Sequence, residues 1–160
     1  MKVKVSRART QRHLCCLAVS LLLAAALLVR GTVLAADVVG QGDVVVVVAA
    51  ASPTTVLDRN ELADLFLGRT TRFPDGRPAV PVDQSQGSQA RTDFYTGYLG
   101  RSASEIKAHW SKVVFTGRGS PPRAVADTEQ LRLLIASSPS YVSYLDRSAV
   151  DRSLKVVRIE

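Results

Sequence analysis

Residues Asp43 to Ala51 read DVVVVVAAA, five consecutive valines followed by three alanines. Branching at Cβ stiffens each valine side chain and favours extended backbone over helix. A strand alternates its side chains between two faces, so a run with no polar position has no face to offer to water. Short apolar runs of this kind are strands buried on both sides, within sheets covered by helices. The rest of the chain must therefore supply helices for both faces of that sheet.

It does so in recognisable pieces. SPTTV reads as a turn, after which Asp58 can cap a helix through RNELADLFLG, with Leu62, Leu65 and Phe66 on one face and Gly68 as the stop. RTTRFPDGRP is a loop with a Pro-Asp-Gly turn, and AVPVDQ is a second short strand. A helix is expected from Ser88 to Leu99, burying Phe94, Tyr95 and Tyr98. Ser102 or Ser104 caps the next, EIKAHWSKVVF, where Ile106, Trp110, Val113 and Val114 share a face. TGRGSPPRAV reads as irregular, Asp127 starts a helix ended near Pro139, and SYVSYL and SLKVVRI are the closing strands. Strands and helices in this order predict an α/β domain with a mixed sheet covered by helices.

The formal charge of +7 suggests a nucleic-acid or membrane-surface partner until it is located. Residues 1–35 hold six basic residues and no acidic one, whereas the remainder holds 15 basic and 14 acidic. The excess belongs to the leader, and nucleic acid drops out as a partner. That leader has a basic start, an apolar run of 16 residues from Leu14 to Val29, and small residues at Val33 and Ala35. It reads as a signal peptide over residues 1–35, cleaved after Ala35, which sends the protein to the periplasm. The run is short of the roughly 20 residues that span a bilayer, though an uncleaved leader would leave a membrane anchor.

Both cysteines, Cys15 and Cys16, fall inside the leader, so residues 36–160 form one domain with no disulfide, no thiol nucleophile and no thiolate metal site. His109 is the only histidine after the leader and cannot build a multi-histidine zinc centre. Asp58, Glu61 and Asp64 sit at a helix start, where dipole complementarity accounts for the first two. No nucleophile elbow and no nucleotide P-loop occur: FTGRGSPP lacks the Lys-Ser/Thr that a P-loop needs. The chain reads as a non-enzyme with no cofactor and no metal.

One stretch points to a ligand. In DQSQGSQARTDFY a polar, glycine-bearing turn runs into a helix start, whose first N–H groups have no partner within the helix. Two readings stand side by side. Ser88 is an ordinary N-cap with Arg91 solvated, or the turn and helix start hold an anion. A cap alone leaves Arg91, a cation on the wrong end of the helix dipole, with nothing to do. Trp110 likewise reads as a core anchor or as a ring at the mouth of a pocket.

ELADLFLGRTTRFPDGRPAVPVDQSQGSQARTDFYTGYL, WSKVVFTGRGSPP and SSPSYVSYLD together resemble the phosphate-binding proteins of ABC importers, in the periplasmic-binding-protein superfamily. The resemblance covers about Val44 to Asp146, with Phe-Leu-Gly-Arg at Phe66–Arg69 as its most specific element. It implies a single lobe of the type II periplasmic-binding-protein fold. Only about eight residues separate the expected cleavage site from the first matching strand, so the family's first lobe is expected to be missing.

In that family an Arg-Ser-Asp-Gly-Ser-Gly-Thr turn grips phosphate. Laid over this sequence, the arginine becomes Gln84, Ser85 is kept, the aspartate becomes Gln86, Gly87 and Ser88 are kept, the second glycine becomes Gln89 and the threonine Ala90. Arg91 follows where the family has no arginine. The resemblance thus implies an anion-binding set of Ser85, Gly87, Ser88, Gln89 and Arg91, joined by Thr116 and Arg118 if their loop lines the same mouth. It implies an exported solute-binding protein that takes phosphate or another small oxyanion weakly. The other reading is an interaction module of the cell envelope that has lost its solute and docks on a protein partner or on a second copy of itself.

Overall fold

A computed structural model of the chain describes residues 43–160; the leader, with Cys15, Cys16 and the expected cleavage site, lies outside the described residues. The valine run forms β1 (Val44–Ala49), and all six of its residues are buried. Its even-numbered valines, 44, 46 and 48, pack into one core with Leu62, Phe66, Phe94, Tyr144 and Trp110. Val45 and Val47 pack into another with Val82, Leu131, Ile135 and Leu145. Two separate cores on the two faces of one strand are what an all-apolar strand requires.

Five strands make the sheet, in the order β4-β3-β5-β1-β6. They are β3 (Val80–Gln84), β4 (Arg123–Val125), β5 (Tyr141–Asp146) and β6 (Leu154–Val156), with β1 between β5 and β6. β3 runs parallel to both β4 and β5, while β1 is antiparallel to β5 and β6, so the sheet is mixed. A separate parallel pair joins β2 (Val56–Leu57) to β7 (Arg158–Ile159). The first core is covered by α1 (Arg59–Phe66), α2 (Gln89–Gly97) and α3 (Ala103–Phe115), the second by α4 (Thr128–Ala136).

The helix starts follow their capping residues. Asp58 with Glu61 and Ser102 with Glu105 form reciprocal capping boxes, while Ser88 and Asp127 cap α2 and α4 through single side-chain bonds. Gly68 ends α1 with φ +69°, and a Cβ there would lie 2.8 Å from Cη2 of Trp110. The glycine thus allows both the turn and the close approach of the indole.

Three expectations need correction. Tyr98 is only half-buried, and α2 ends at Gly97 rather than Leu99. Val114 does not share the buried face of α3; it is 54% exposed, while Ile106 and Trp110 are buried and Val113 packs at the core's edge. The stretch TGRGSPPRAV is not wholly irregular, because Arg123–Val125 pairs with Val82–Gln84 as the edge strand β4.

Candidate functional site

The turn before α2 is closed by a bond from Ser88 N to the Ser85 carbonyl at 3.2 Å, with Gly87 at φ +92°. Only glycine takes that angle readily, in the third position of a turn. Ser88 Oγ accepts from Arg91 N at 3.1 Å and donates to Gln84 Oε1 at 2.9 Å. Its one proton is used, and it holds an N-cap in place. Gln89 donates its side-chain amide to Asp93 Oδ1, along the outer face of α2. The first-turn N–H groups of Gln89 and Ala90 have no acceptor among the described residues.

The residue that organises this region is one the sequence reading passed over. Strand alternation sends Val82 into the α4 core and Asp83 to the opposite face. There Asp83 is 5% exposed as a residue. Its Oδ1 accepts from the Tyr144 hydroxyl and from Gln84 N at 2.9 Å; its Oδ2 accepts from Arg91 Nε and from the Tyr95 hydroxyl, both at 3.1 Å. An ionised carboxylate has about four acceptor sites, and four donors fill them. Burial pushes the Tyr95 and Tyr144 pKa values up, and the neighbouring Asp83 charge pushes them further, so both phenols stay protonated as donors. Burial works against the Arg91 charge, but the Asp83 carboxylate together with Tyr95 and Tyr144 outweighs it, and the Arg91 pKa is raised.

Arg91 is consequently not solvated, with 13% of its side chain exposed. Its partner is an internal carboxylate. The guanidinium carbon also lies 4.8 Å from the centre of the Tyr95 ring. One edge of the group is held by Asp83 and one face by Tyr95. The two terminal Nη groups have no acceptor among the described residues, yet they are not sealed from solvent. An arginine fixed in this way presents a preorganised, planar pair of donors.

Arg91 lines a cleft of about 930 Å³. Its position follows from the topology. After β3 the chain turns to α2 on one face of the sheet, and after the neighbouring parallel strand β4 it turns to α4 on the other. The cleft lies on the α2 and α3 side of this parting: it takes in the carboxyl end of β3, Pro121 and Pro122 ahead of β4, and no residue of α4. Asp83, Gln84, Gly87 and Arg91 line one side; Trp110, Val114 and Phe115 of α3 line the other, with Pro121 and Pro122. Lys107 adds a second cation to the lining and makes no ion pair among the described residues.

Of the residues singled out from sequence, Gly87 and Arg91 line this cleft, whereas Ser85, Ser88 and Gln89 stand behind it in the turn and on the outer helix face. Thr116 and Arg118 are not brought to it. The Thr116 hydroxyl donates to the carbonyls of Lys112 and Val113, and Arg118 N donates to that of Val113, so both close the end of α3. Trp110 is both things proposed for it: 7% exposed in the core, and part of the cleft wall. His109 Nε2 lies 3.0 Å from the Leu67 carbonyl and ties α3 to the end of α1. Among the described residues no group of three or more His, Cys, Asp or Glu side chains could hold a metal, and no helix is long and apolar enough to cross a membrane.

No protein-family model and no curated protein matches the chain. Its fold does match solved structures. An ABC-type phosphate transport receptor from Vibrio cholerae aligns over 73% of this chain and 46% of its own, with a TM-score of 0.56 and 18% identity. A candidate phosphate ABC transporter substrate-binding protein from Clostridium perfringens, solved with bound phosphate, aligns over 73% and 44%, at 0.57 and 18%. A possible phosphate binding protein from Planctomyces limnophilus aligns over 74% and 41%, at 0.53 and 15%. The chain thus has the periplasmic-binding-protein fold of phosphate ABC transporter substrate-binding proteins, and it spans less than half the length of these three.

Proposed function

We propose that the protein is an exported solute-binding module of the periplasm that takes a small oxyanion, phosphate among them, with weak affinity. The observation that carries this reading is Arg91: its Nε is fixed by Asp83, its Nη pair has no acceptor among the described residues, and the residue lines the cleft. Asp83 cancels the formal charge of Arg91, so the attraction is a local one between a donor fork and an oxyanion rather than a strong net field. That is the reason for expecting weak binding. The Gly87 turn and the open N–H groups of α2 beside it favour the same sign of ligand. The names of the solved neighbours, one of them with phosphate bound, support the ligand class. Binding rather than catalysis is proposed because Asp83 has no acceptor site left with which to act as a base.

Calorimetric titration of the full chain with phosphate, sulfate and acetate at low salt tests this. Millimolar affinity for at least one of them is expected, lost in Arg91→Gln. Absence of heat and of any thermal shift with every anion would overturn the reading. The interaction-module reading draws on a different observation, the 93% exposure of Phe115 beside the half-exposed Val114. Light scattering discriminates it: a dimer that dissociates in Phe115→Ser would favour docking over solute binding.

A further inference from the structure

The cleft is much larger than a phosphate ion needs, and its lining combines polar groups with exposed apolar ones. One wall carries the Arg91 donor pair and the polar Gly87 turn. α3 and the turn before β4 contribute the apolar Val114, Phe115, Pro121 and Pro122, with the polar Ser104, Lys107 and Ser111 of α3 among them. Val114 and Phe115 are 54% and 93% exposed, although both belong to a helix whose remaining exposed positions are mainly polar. Both line the cleft, which α3 borders along its whole length. Trp110, itself more than nine-tenths buried, has an indole N–H without an acceptor among the described residues. Small-molecule sites have this composition: a volume of roughly 300–1,000 Å³, a mostly apolar lining and a few fixed polar groups that orient the ligand. An inorganic oxyanion would leave the apolar wall uncovered.

We propose that the preferred ligand is an amphipathic organic anion, a carboxylate or phosphate ester with an aromatic or branched apolar body. Its charged head is held by the Nη pair of Arg91 and its body lies against Val114, Phe115 and the Pro121–Pro122 turn. Lys107, on the same helix as Val114 and Phe115, is a second cation in the lining. This rests on the solute-binding reading above and narrows it: the arginine fork supplies the anion preference, and the apolar wall supplies the selectivity among anions.

Methyl phosphate and phenyl phosphate carry the same headgroup and differ in the body, so titrating the full chain with both isolates the wall. Phenyl phosphate is expected to bind about tenfold tighter or more, a difference of about 1.4 kcal/mol. Phe115→Ala, at a position too exposed to matter for folding, should bring the two affinities together, and Arg91→Gln should weaken both. Equal affinities for the two esters in the unmodified chain would overturn the amphipathic ligand while leaving oxyanion binding intact. A preference for phenyl phosphate that survives Phe115→Ala and Val114→Ser would overturn the assignment of the wall. Failure of both esters and of inorganic phosphate to bind would overturn the solute-binding reading itself. So would an Arg91→Gln chain that binds as tightly as the original.

Discussion

Arg91 and Asp83 form an ion pair at 3.1 Å, with 13% and 7% of their side chains exposed. A cation on the first turn of α2, which the helix dipole opposes, is compensated by a carboxylate from the end of β3 rather than by bulk water. Removing one partner of a buried pair strands the other, at a cost of about 3–5 kcal/mol. Asp83→Ala should therefore destabilise the fold by about that amount, because it strands Arg91 and orphans two phenol hydroxyls and the Gln84 N–H. Urea denaturation would show this as a lowered midpoint. Asp83→Asn, which keeps the shape and half of the acceptors, should cost less.

The two phenols make the fold sensitive to alkali. Tyr95 and Tyr144 both have raised pKa values in the folded protein, from burial first and then from the charge of Asp83. Above pH 10, where an exposed tyrosine ionises, the unfolded chain releases these protons and the folded chain retains them. Stability is then complete below about pH 10 and falls as pH rises beyond it, by up to about 1.4 kcal/mol per unit for each tyrosine. Denaturation midpoints measured between pH 8 and pH 11.5 should show the decline, and Tyr95→Phe should flatten it. At pH 8 the same variant should lose about 1.5–3 kcal/mol, the worth of a hydrogen bond to a charged group.

Gly68 and Trp110 give a packing test that does not involve the cleft chemistry. Alanine at position 68 must adopt φ +69°, a cost of about 1–2 kcal/mol. Its Cβ would also meet the indole at 2.8 Å, an overpacking cost of about 1–3 kcal/mol. Gly68→Ala in the Trp110→Leu background should show only the backbone part, and a double-mutant cycle would separate the two contributions. Trp110→Ala alone should cost about 3–5 kcal/mol.

Much of this architecture is readable from residues taken singly. The valine run declares a strand with two buried faces, and Asp58, Ser88, Ser102 and Asp127 declare four helix starts, because those signals lie within a turn of the structure they produce. The edge strand β4 is hidden because it has three residues and follows two prolines, so its pairing with Val82–Gln84 comes from the tertiary fold. Helical spacing puts Val114 on the buried face, because it fixes a direction but not where the neighbouring elements end. Asp83 is the clearest case. An acidic residue at a strand end reads as a solvated turn, while the partners that bury it stand 8, 12 and 61 positions away. Nothing local to Arg91 discloses that its counter-ion is already built in. The reading of Arg91 as a solvated side chain fails for that reason.

Arg91→Lys separates the two duties of this side chain. An ammonium group keeps the positive charge and can reach Asp83, so the buried carboxylate retains a partner. It lacks the planar fork that lets arginine bond Asp83 with one edge and a ligand with another, and it stacks less well on Tyr95. The lysine variant should therefore retain most of the stability that Arg91→Ala loses. Its affinity for phosphate and for phenyl phosphate should nonetheless fall by about tenfold, since a difference of about 1.4 kcal/mol is what one charge-assisted contact supplies at the low end. Urea denaturation and titration at low salt, where screening is weakest, give the two readouts on the same preparation. A lysine variant that binds both anions as tightly as the original would mean that charge alone attracts them, and that the geometry imposed by Asp83 and Tyr95 serves the fold and not the ligand.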